Sequence, residues 1–328
     1  MKSVTLICPQ CGAPLPRQAQ WRTVVCTYCS AEVTHGVNVV RAASFREAYL
    51  RSRTMGPGGA LDDTGPAIAC NGERYRVLLT LAQGTSAKVM LAQRLGALPE
   101  RVIIKLAHAA TPAGRLKREA DILRQLQDPA LPGAAYFSQR LPNLVTAGMA
   151  TSDGVNHTEA LLLRSPVGYW GSLAAVRRHY PAGVDARHAV WMWRRILEVL
   201  AYVHDAGWAH GRLGPEHLLV QPADHGVQIT GWADARRHEA TTSATATPAR
   251  DLMQAAWSIR SLLHGGEDQP PVAAGTPAPL ADLLRRASED ASWCARTGAA
   301  GIDAALRTAA REAFGAPRFL PFTPTPPR

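Results

Sequence analysis

The chain has 328 residues, 46% hydrophobic and 19% charged, a composition typical of a globular, soluble protein with a sizeable core. Its apolar runs are too short to cross a bilayer and its N-terminus has no signal-peptide pattern, which argues against a membrane partner and predicts a cytoplasmic location. The net charge of +10 would favour nucleic-acid binding if the basic residues were clustered. They are spread along the chain, singly or in pairs such as Arg194-Arg195, which indicates a solvated basic surface.

The first predicted element is a metal-binding module. Residues 8–29 read CPQCGAPLPRQAQWRTVVCTYC, two C-x-x-C pairs separated by 14 residues. Each pair brings two thiolates to one ion from a tight turn, and two pairs complete the four soft ligands of a tetrahedral Zn²⁺ site. A disulfide pair or a redox C-x-x-C is the alternative, but doubled pairs in an intracellular chain favour zinc. The predicted zinc ligands are Cys8, Cys11, Cys26 and Cys29.

This pattern resembles a zinc ribbon, which we predict over residues 1–50. Four thiolates leave no open coordination position, so the resemblance implies a structural zinc ion rather than a catalytic one. Zinc ribbons bind protein or nucleic acid, and Arg17, Trp21 and Arg22 between the cysteine pairs could serve either partner. We expect a protein partner. Residues 51–72, rich in Gly, Pro and Asp, are predicted to form a flexible linker.

The larger region begins near residue 73 with apolar runs that predict strands, in YRVLLTLAQGTSAKVMLAQR and RVIIKLA. A helix follows in GRLKREADILRQLQ, and a long amphipathic helix in HAVWMWRRILEVLAYVHDAG leads into WAHGRLGPEHLLV. GVQITGWADA and RDLMQAAWSIRSLLHGG come next. The order and spacing of these motifs resemble a protein kinase domain of the Ser/Thr kinase superfamily.

The resemblance implies an α+β fold of two lobes over residues 73–315. The N-lobe, about 73–163, should be rich in β-strands, and the C-lobe, about 164–315, should be helical. Residues 316–328 form a Pro-rich tail. The positions that would pack the kinase framework and join its lobes are Leu123, His210, Trp232 and Asp251.

The resemblance also assigns a remnant nucleotide site. VIIK places Lys105 at the phosphate-contacting position, and READIL places Glu119 as its ion-pair partner. AQGTSAKV corresponds to the glycine-rich loop, in which two of three glycine positions are alanine. Ile103 stands where a smaller alanine would face the adenine. We therefore expect weak, metal-independent ATP binding or none, and the residues that would contact the nucleotide are Gly84, Val89, Lys105, Glu119 and Leu219.

The catalytic positions depart from the kinase pattern. H-R-D-x-x-x-x-N is replaced by HGRLGPEH, so Arg212 stands in place of the base and His217 in place of a metal-binding asparagine. Gly231 replaces the aspartate of D-F-G, and Gly214 replaces the loop lysine. Arginine carries only hydrogen-bond donors, and Mg²⁺ prefers oxygen ligands. The resemblance therefore implies no Mg²⁺ site and no catalytic residues.

The segment between Gly231 and Asp251 is short and lacks A-P-E. Its Thr- and Ser-rich residues, 241–247, are predicted to form a flexible loop that could be phosphorylated. We predict a pseudokinase, not an enzyme, that acts as a zinc-ribbon-tethered scaffold or allosteric partner of signalling proteins in bacterial-type signalling. An atypical phosphotransferase that binds ATP through Lys105 and Glu119 is one alternative. Nucleic-acid binding through the ribbon is another.

Overall fold

The computed structural model describes most of the chain. Arg17, Trp21, Arg22 and the Thr- and Ser-rich residues 241–245 lie outside the described part, as do the predicted linker residues 51–63. The described residues are 6–8, 10–11, 13–15, 24–33, 64–96, 100–152, 155–238, 246–265 and 271–324.

Two short hairpins form the N-terminal module. Their strands are β1 (Leu6–Ile7), β2 (Pro14–Leu15), β3 (Val24–Val25) and β4 (Glu32–Val33). The two cysteine pairs make the same turn, because the amide of Cys8 donates to the carbonyl of Ala13 and the amide of Cys26 to that of Ala31, each at 2.8 Å. The repeated turn aims both pairs at one point.

Six antiparallel strands form a closed barrel in the order β10-β8-β7-β6-β5-β9. They are β5 (Ala67–Cys70), β6 (Glu73–Gln83), β7 (Ala87–Arg94), β8 (Arg101–Ala107), β9 (Leu144–Ser152) and β10 (Val155–Arg164). The barrel core contains the side chains of Tyr75, Val102, Ile104 and Leu162, all nearly or fully buried.

Part of the segment predicted as a linker, residues 51–72, instead forms strand β5 (Ala67–Cys70). Ile68 and Cys70 point into the barrel and are each 2% exposed, whereas Ala67 and Ala69 are partly exposed. The alternation covers only four residues, most of them small, and a pattern this short does not distinguish a strand from a linker. The strand pairs with β6 and with β9, and it closes the sheet.

Helix α1 (Arg115–Leu126) crosses the barrel and connects it to the helical lobe. Its buried positions include Leu116, Ala120 and Leu123, which recur at helical spacing as the sequence predicts. Leu123 is fully buried in the main core. One face of α1 therefore belongs to both lobes.

The helical lobe is assembled around three fully buried or nearly fully buried tryptophans, Trp191, Trp193 and Trp232. Its helices are α2 (Ala134–Phe137), α3 (Leu173–His179), α4 (Ala186–Asp205), α5 (Pro248–His264), α6 (Ala278–Glu289) and α7 (Ala291–Phe314). Its strands are β11 (Gly171–Ser172), β12 (Trp208–Ala209), β13 (Leu218–Gln221), β14 (Gly226–Ile229) and β15 (Arg236–Arg237). Strands β11, β13 and β14 form one sheet, and β12 pairs with β15.

The predicted α+β fold of two lobes, preceded by a small cysteine module, is confirmed. After α7 the chain returns along the helical lobe, and Phe322 of the Pro-rich tail is only 5% exposed. No helix in the described part of the chain has both the length and the apolar character that crossing a bilayer requires.

Candidate functional site

The four cysteines of the N-terminal module converge. Cys8 Sγ lies 3.7 Å from Cys29 Sγ, and Cys11 Sγ lies 3.6 Å from Cys26 Sγ. All four sulfur atoms lie within 4.8 Å of one another. A tetrahedral Zn²⁺ with bonds of about 2.3 Å holds its sulfur ligands about 3.8 Å apart, so the spacing fits this ion. It does not fit disulfides, which need S–S distances of about 2.05 Å.

Lys105 and Glu119 meet between the lobes as predicted. Lys105 Nζ donates to Glu119 Oε1 at 2.6 Å, and the two side chains are 14% and 2% exposed. The same carboxylate oxygen accepts a hydrogen bond from the backbone amide of Trp232 at 3.2 Å. One buried carboxylate on α1 therefore ties strand β8 to the turn that follows β14.

Asp251 organises the loop that follows β12. It is fully buried, and its carboxylate accepts hydrogen bonds from the amides of His210, at 2.7 Å, and Gly211, at 2.8 Å. His204 Nε2 lies 3.1 Å from the same carboxylate. The ring of His210 donates from Nε2 to the carbonyl of Thr230 at 2.9 Å, and burial lowers its pKa. Of the predicted framework residues, His210 and Asp251 are thus hydrogen-bonded, and the ring of His210 also contacts that of Trp232, with centroids 4.7 Å apart.

The glycine-rich loop is a tight hairpin between β6 and β7. The amide of Gly84 donates to the carbonyl of Ala87 at 3.0 Å, so this N–H group already has a partner within the loop. Outside the hairpin, a ring nitrogen of His108 lies 2.9 Å from the Gly84 carbonyl, and the Thr111 hydroxyl donates to the Ser86 carbonyl at 2.6 Å. These contacts fix the loop from the side of α1.

The two apolar positions predicted to enclose an adenine ring lie on different lobes. Val89 is on β7, opposite Lys105, and Leu219 is on β13; both are half-buried. Ile103 lies between Leu91 and Leu163 in the barrel wall and packs against the main core. Its side chain therefore contributes to the packing between the lobes.

His217 and Gly231 are in direct contact, which the sequence did not reveal. Gly231 has φ +84°, and a Cβ atom built on it would lie 2.6 Å from Cδ2 and 2.8 Å from Nε2 of His217. The imidazole is held in place because its Nδ1 donates to the carbonyl of Arg212 at 2.9 Å. The ring therefore fills the space that a side chain at position 231 would need.

The space beside Gly214 is filled in a similar way. A Cβ atom at Gly214 would clash with the carboxylate of Glu216, which folds over it. The side chain of Arg212 is 55% exposed, and its guanidinium lies 4.0 Å from the carboxylate of Asp234. Gly211, with φ +79°, has no room for a side chain because a Cβ atom would lie 2.8 Å from that of Ala246.

Asp234 forms a second link between α1 and the turn after β14, which no sequence motif predicted. Arg115 donates to Asp234 at 2.6 Å, and Arg118 donates to the carbonyl of Ala235 at 2.9 Å. Burial raises the pKa of Asp234, but the hydrogen bond from Arg115 and the positive charges of Arg115, Arg212 and Arg236 together outweigh it, and the net shift is downward. In the sequence, the only sign of this contact is the acidic residue of GWAD, three positions after Gly231.

Burial, with a further contribution from nearby His210, lowers the pKa of His217 to about 4 from an ordinary 6.5. The unfolded chain binds the proton more readily, so this group makes the folded state less stable as pH falls from about 6.5 to about 4. In this pH window we expect His217→Asn to reduce the slope of unfolding free energy against pH. The reduction should reach at most about 1.4 kcal/mol per pH unit, the value that corresponds to one bound proton. Urea unfolding across this window tests it, and above it the two slopes should coincide. Equal slopes within the window would contradict the assignment.

Two carboxylates near the loop are paired with cationic side chains. Glu119 pairs with Lys105, Asp234 with Arg115, and Glu216 lies 3.7 Å from His217. Within the described ranges, the cysteine cluster is the one group of three or more His, Cys, Asp or Glu residues that could hold a metal ion.

The chain matches the family model described as "Lipopolysaccharide kinase (Kdo/WaaP) family" over residues 68–261. The match begins in β5 and ends within α5, so it includes the barrel, the Lys105–Glu119 pair and Asp251. A crystal structure of a kinase domain is also similar, with 15% identity, a TM-score of 0.47 and coverage of 70% of this chain and 72% of that chain. The family model spans more than half of the 328 residues, and the chain therefore belongs to the lipopolysaccharide kinase (Kdo/WaaP) family.

Proposed function

We propose that this protein is a pseudokinase of the cytoplasm that binds a signalling protein and does not transfer phosphate. The observation that carries the proposal is the contact between His217 and Gly231. One of the two positions that would hold Mg²⁺ in a kinase carries the imidazole of His217. The other, Gly231, has no side chain, and the imidazole fills the space that a side chain there would need. Restoring the aspartate at position 231 alone would place its side chain against the ring of His217.

The remaining catalytic positions support the same proposal. Arg212 carries only donors and cannot accept the proton of an attacking hydroxyl. The carboxylate of Glu216 covers Gly214, where a kinase has a lysine next to the transferred phosphate, and it would repel a phosphate group there. Phosphoryl transfer depends on neutralising charge at these positions.

A binding role is supported by the parts that are retained. The Glu119–Trp232 hydrogen bond and the Arg115–Asp234 pair join the two lobes, and the Asp251 network fixes the loop after β12. A fixed arrangement suits a scaffold or allosteric partner, because a preorganised surface loses little conformational entropy on binding.

A second candidate function is phosphoryl transfer to a lipopolysaccharide-type sugar, as the family description suggests. The observation that favours it is the intact Lys105–Glu119 pair at 2.6 Å. This pair would contact nucleotide phosphates if ATP entered the cleft. The two candidates therefore differ in their response to nucleotide and metal ion.

Thermal unfolding with ATP separates them. For the pseudokinase we expect about 1 mM ATP to stabilise the chain by about 0.4 kcal/mol or less, with or without Mg²⁺, which corresponds to a Kd of about 1 mM or weaker. Lys105→Ala should not change that response. A Mg²⁺-dependent stabilisation that Lys105→Ala abolishes, together with labelled phosphate on the protein or on lipopolysaccharide, would refute the proposal and establish the second candidate.

A further inference from the structure

The second cysteine turn of the ribbon is docked on the helical lobe. Arg194 of α4 donates to the backbone carbonyl of Tyr28, and Arg195 donates to the hydroxyl of Thr27 at 3.2 Å. Both arginines are buried, at 8% and 4% exposure, and Arg194 also pairs with Asp303 of α7 at 3.0 Å. Charged groups that are buried need such partners, so the ribbon here is part of the packing of α4.

The C-terminal residues Arg318–Phe322, which we call the strap, join the ribbon to the same surface. The amide of Phe319 donates to the carbonyl of the predicted zinc ligand Cys11 at 2.5 Å. The hydroxyl of Tyr28, next to the ligand Cys29, donates to the carbonyl of Arg318 at 2.8 Å. The strap therefore contacts both cysteine turns.

On its other side the strap lies on an aromatic surface of the helical lobe. The rings of Phe319 and His225 stack at 4.2 Å, and His225 stacks in turn on Trp191 at 4.2 Å. Phe322 lies 4.9 Å from the ring of His188. The strap thus covers a row of rings formed by His188, Trp191 and His225.

The ribbon cannot maintain these contacts by its own core. Its described core contains six buried residues, four of them with no side chain larger than that of cysteine, and the strap residue Phe319 packs against it from outside. A module of this size depends on metal binding for its folding free energy. Loss of the ion would remove the carbonyl of Cys11 and the ring of Tyr28 as fixed partners of the strap.

We infer that Zn²⁺ bound by the four cysteines controls the docking of the strap, so that loss of the ion releases Arg318–Phe322 and uncovers the row formed by His188, Trp191 and His225. The coupling is reciprocal: if zinc strengthens strap docking by some factor, the docked strap strengthens zinc binding by the same factor. The inference does not depend on whether the cleft transfers phosphate.

The first test measures zinc affinity of the full-length chain by competition with a chromogenic chelator. We expect the double variant Phe319→Ala, Phe322→Ala to bind zinc at least about 5-fold more weakly than wild type, within the ordinary range of coupling between sites. Phe314→Ala, which removes an exposed ring from the end of α7 outside the strap, is the matched control and should bind as wild type does. A loss smaller than about 5-fold in the double variant would overturn the inference.

The second test uses the wild-type chain and the milder variant Tyr28→Phe, so it decides even if the double variant does not fold. Hydrogen exchange is followed before and after zinc is removed by a chelator. We expect amides of the strap to lose protection while those of α5 keep theirs, and Tyr28→Phe, which lacks the hydroxyl that holds Arg318, to weaken strap protection with zinc present. If the strap stays protected, or if the strap and α5 lose protection together, local release by zinc is wrong.

Discussion

Asp251→Ala is expected to lower the free energy of unfolding by about 3–5 kcal/mol, one of the two largest effects we predict. The substitution leaves the amides of His210 and Gly211 buried without their acceptor, and His204 also loses its contact. These groups cannot be satisfied by water because Asp251 is fully buried. Urea unfolding of the full-length chain measures the loss.

Asp290→Ala is the matched control for that experiment. Asp290 also accepts a backbone hydrogen bond, from Trp293 at 2.8 Å, but it does so as a partly exposed cap at the start of α7. Its removal should cost about 1 kcal/mol. If both substitutions cost the same, the Asp251 network does not hold the loop.

Gly231→Asp, which restores the aspartate of a kinase, is expected to destabilise the protein by about 2–3 kcal/mol. Part of the cost is the backbone, since φ at Gly231 is +84°, and part is the contact with His217. The second part should disappear when His217 is replaced by the smaller Asn. A double-mutant cycle of Gly231→Asp and His217→Asn should therefore show a favourable coupling of at least about 1 kcal/mol.

Gly72→Asp separates the two contributions. Gly72 has φ +81° and no atom within 4 Å of the place where its Cβ would lie, so only the backbone cost applies there, about 1 kcal/mol. If Gly231→Asp costs no more than Gly72→Asp, the imidazole of His217 is not a barrier. Vanishing coupling in the double-mutant cycle would likewise contradict our interpretation of this site.

The sequence was sufficient where the chemistry is local. The zinc ligands follow from two C-x-x-C pairs, each of which folds as one turn, and Lys105 and Glu119 follow from a strand and helix that are adjacent in the chain. In these cases, short sequence spacing fixes the geometry with little help from the rest of the fold.

Contacts between distant segments left no such pattern. Arg115 and Asp234 are 119 positions apart, and Arg194 and Tyr28 are 166 apart. The spread of arginine pairs along the chain predicts a solvated basic surface at Arg194-Arg195, yet both side chains are buried under the ribbon. Charge alone could not reveal this, because the partners within the ribbon are a backbone carbonyl and a hydroxyl, which every sequence contains in abundance.

Strand β5 has a consequence for the behaviour of the whole chain. It occupies the space between β6 and β9, so none of the six described barrel strands has free N–H and C=O groups along an open side. In a chain shortened to residues 73–315, the boundaries that sequence alone predicts, β6 and β9 would each have an unpaired edge. Such edges can pair with strands of other molecules. Four residues at the start of the fold thus protect this protein against aggregation by intermolecular strand pairing.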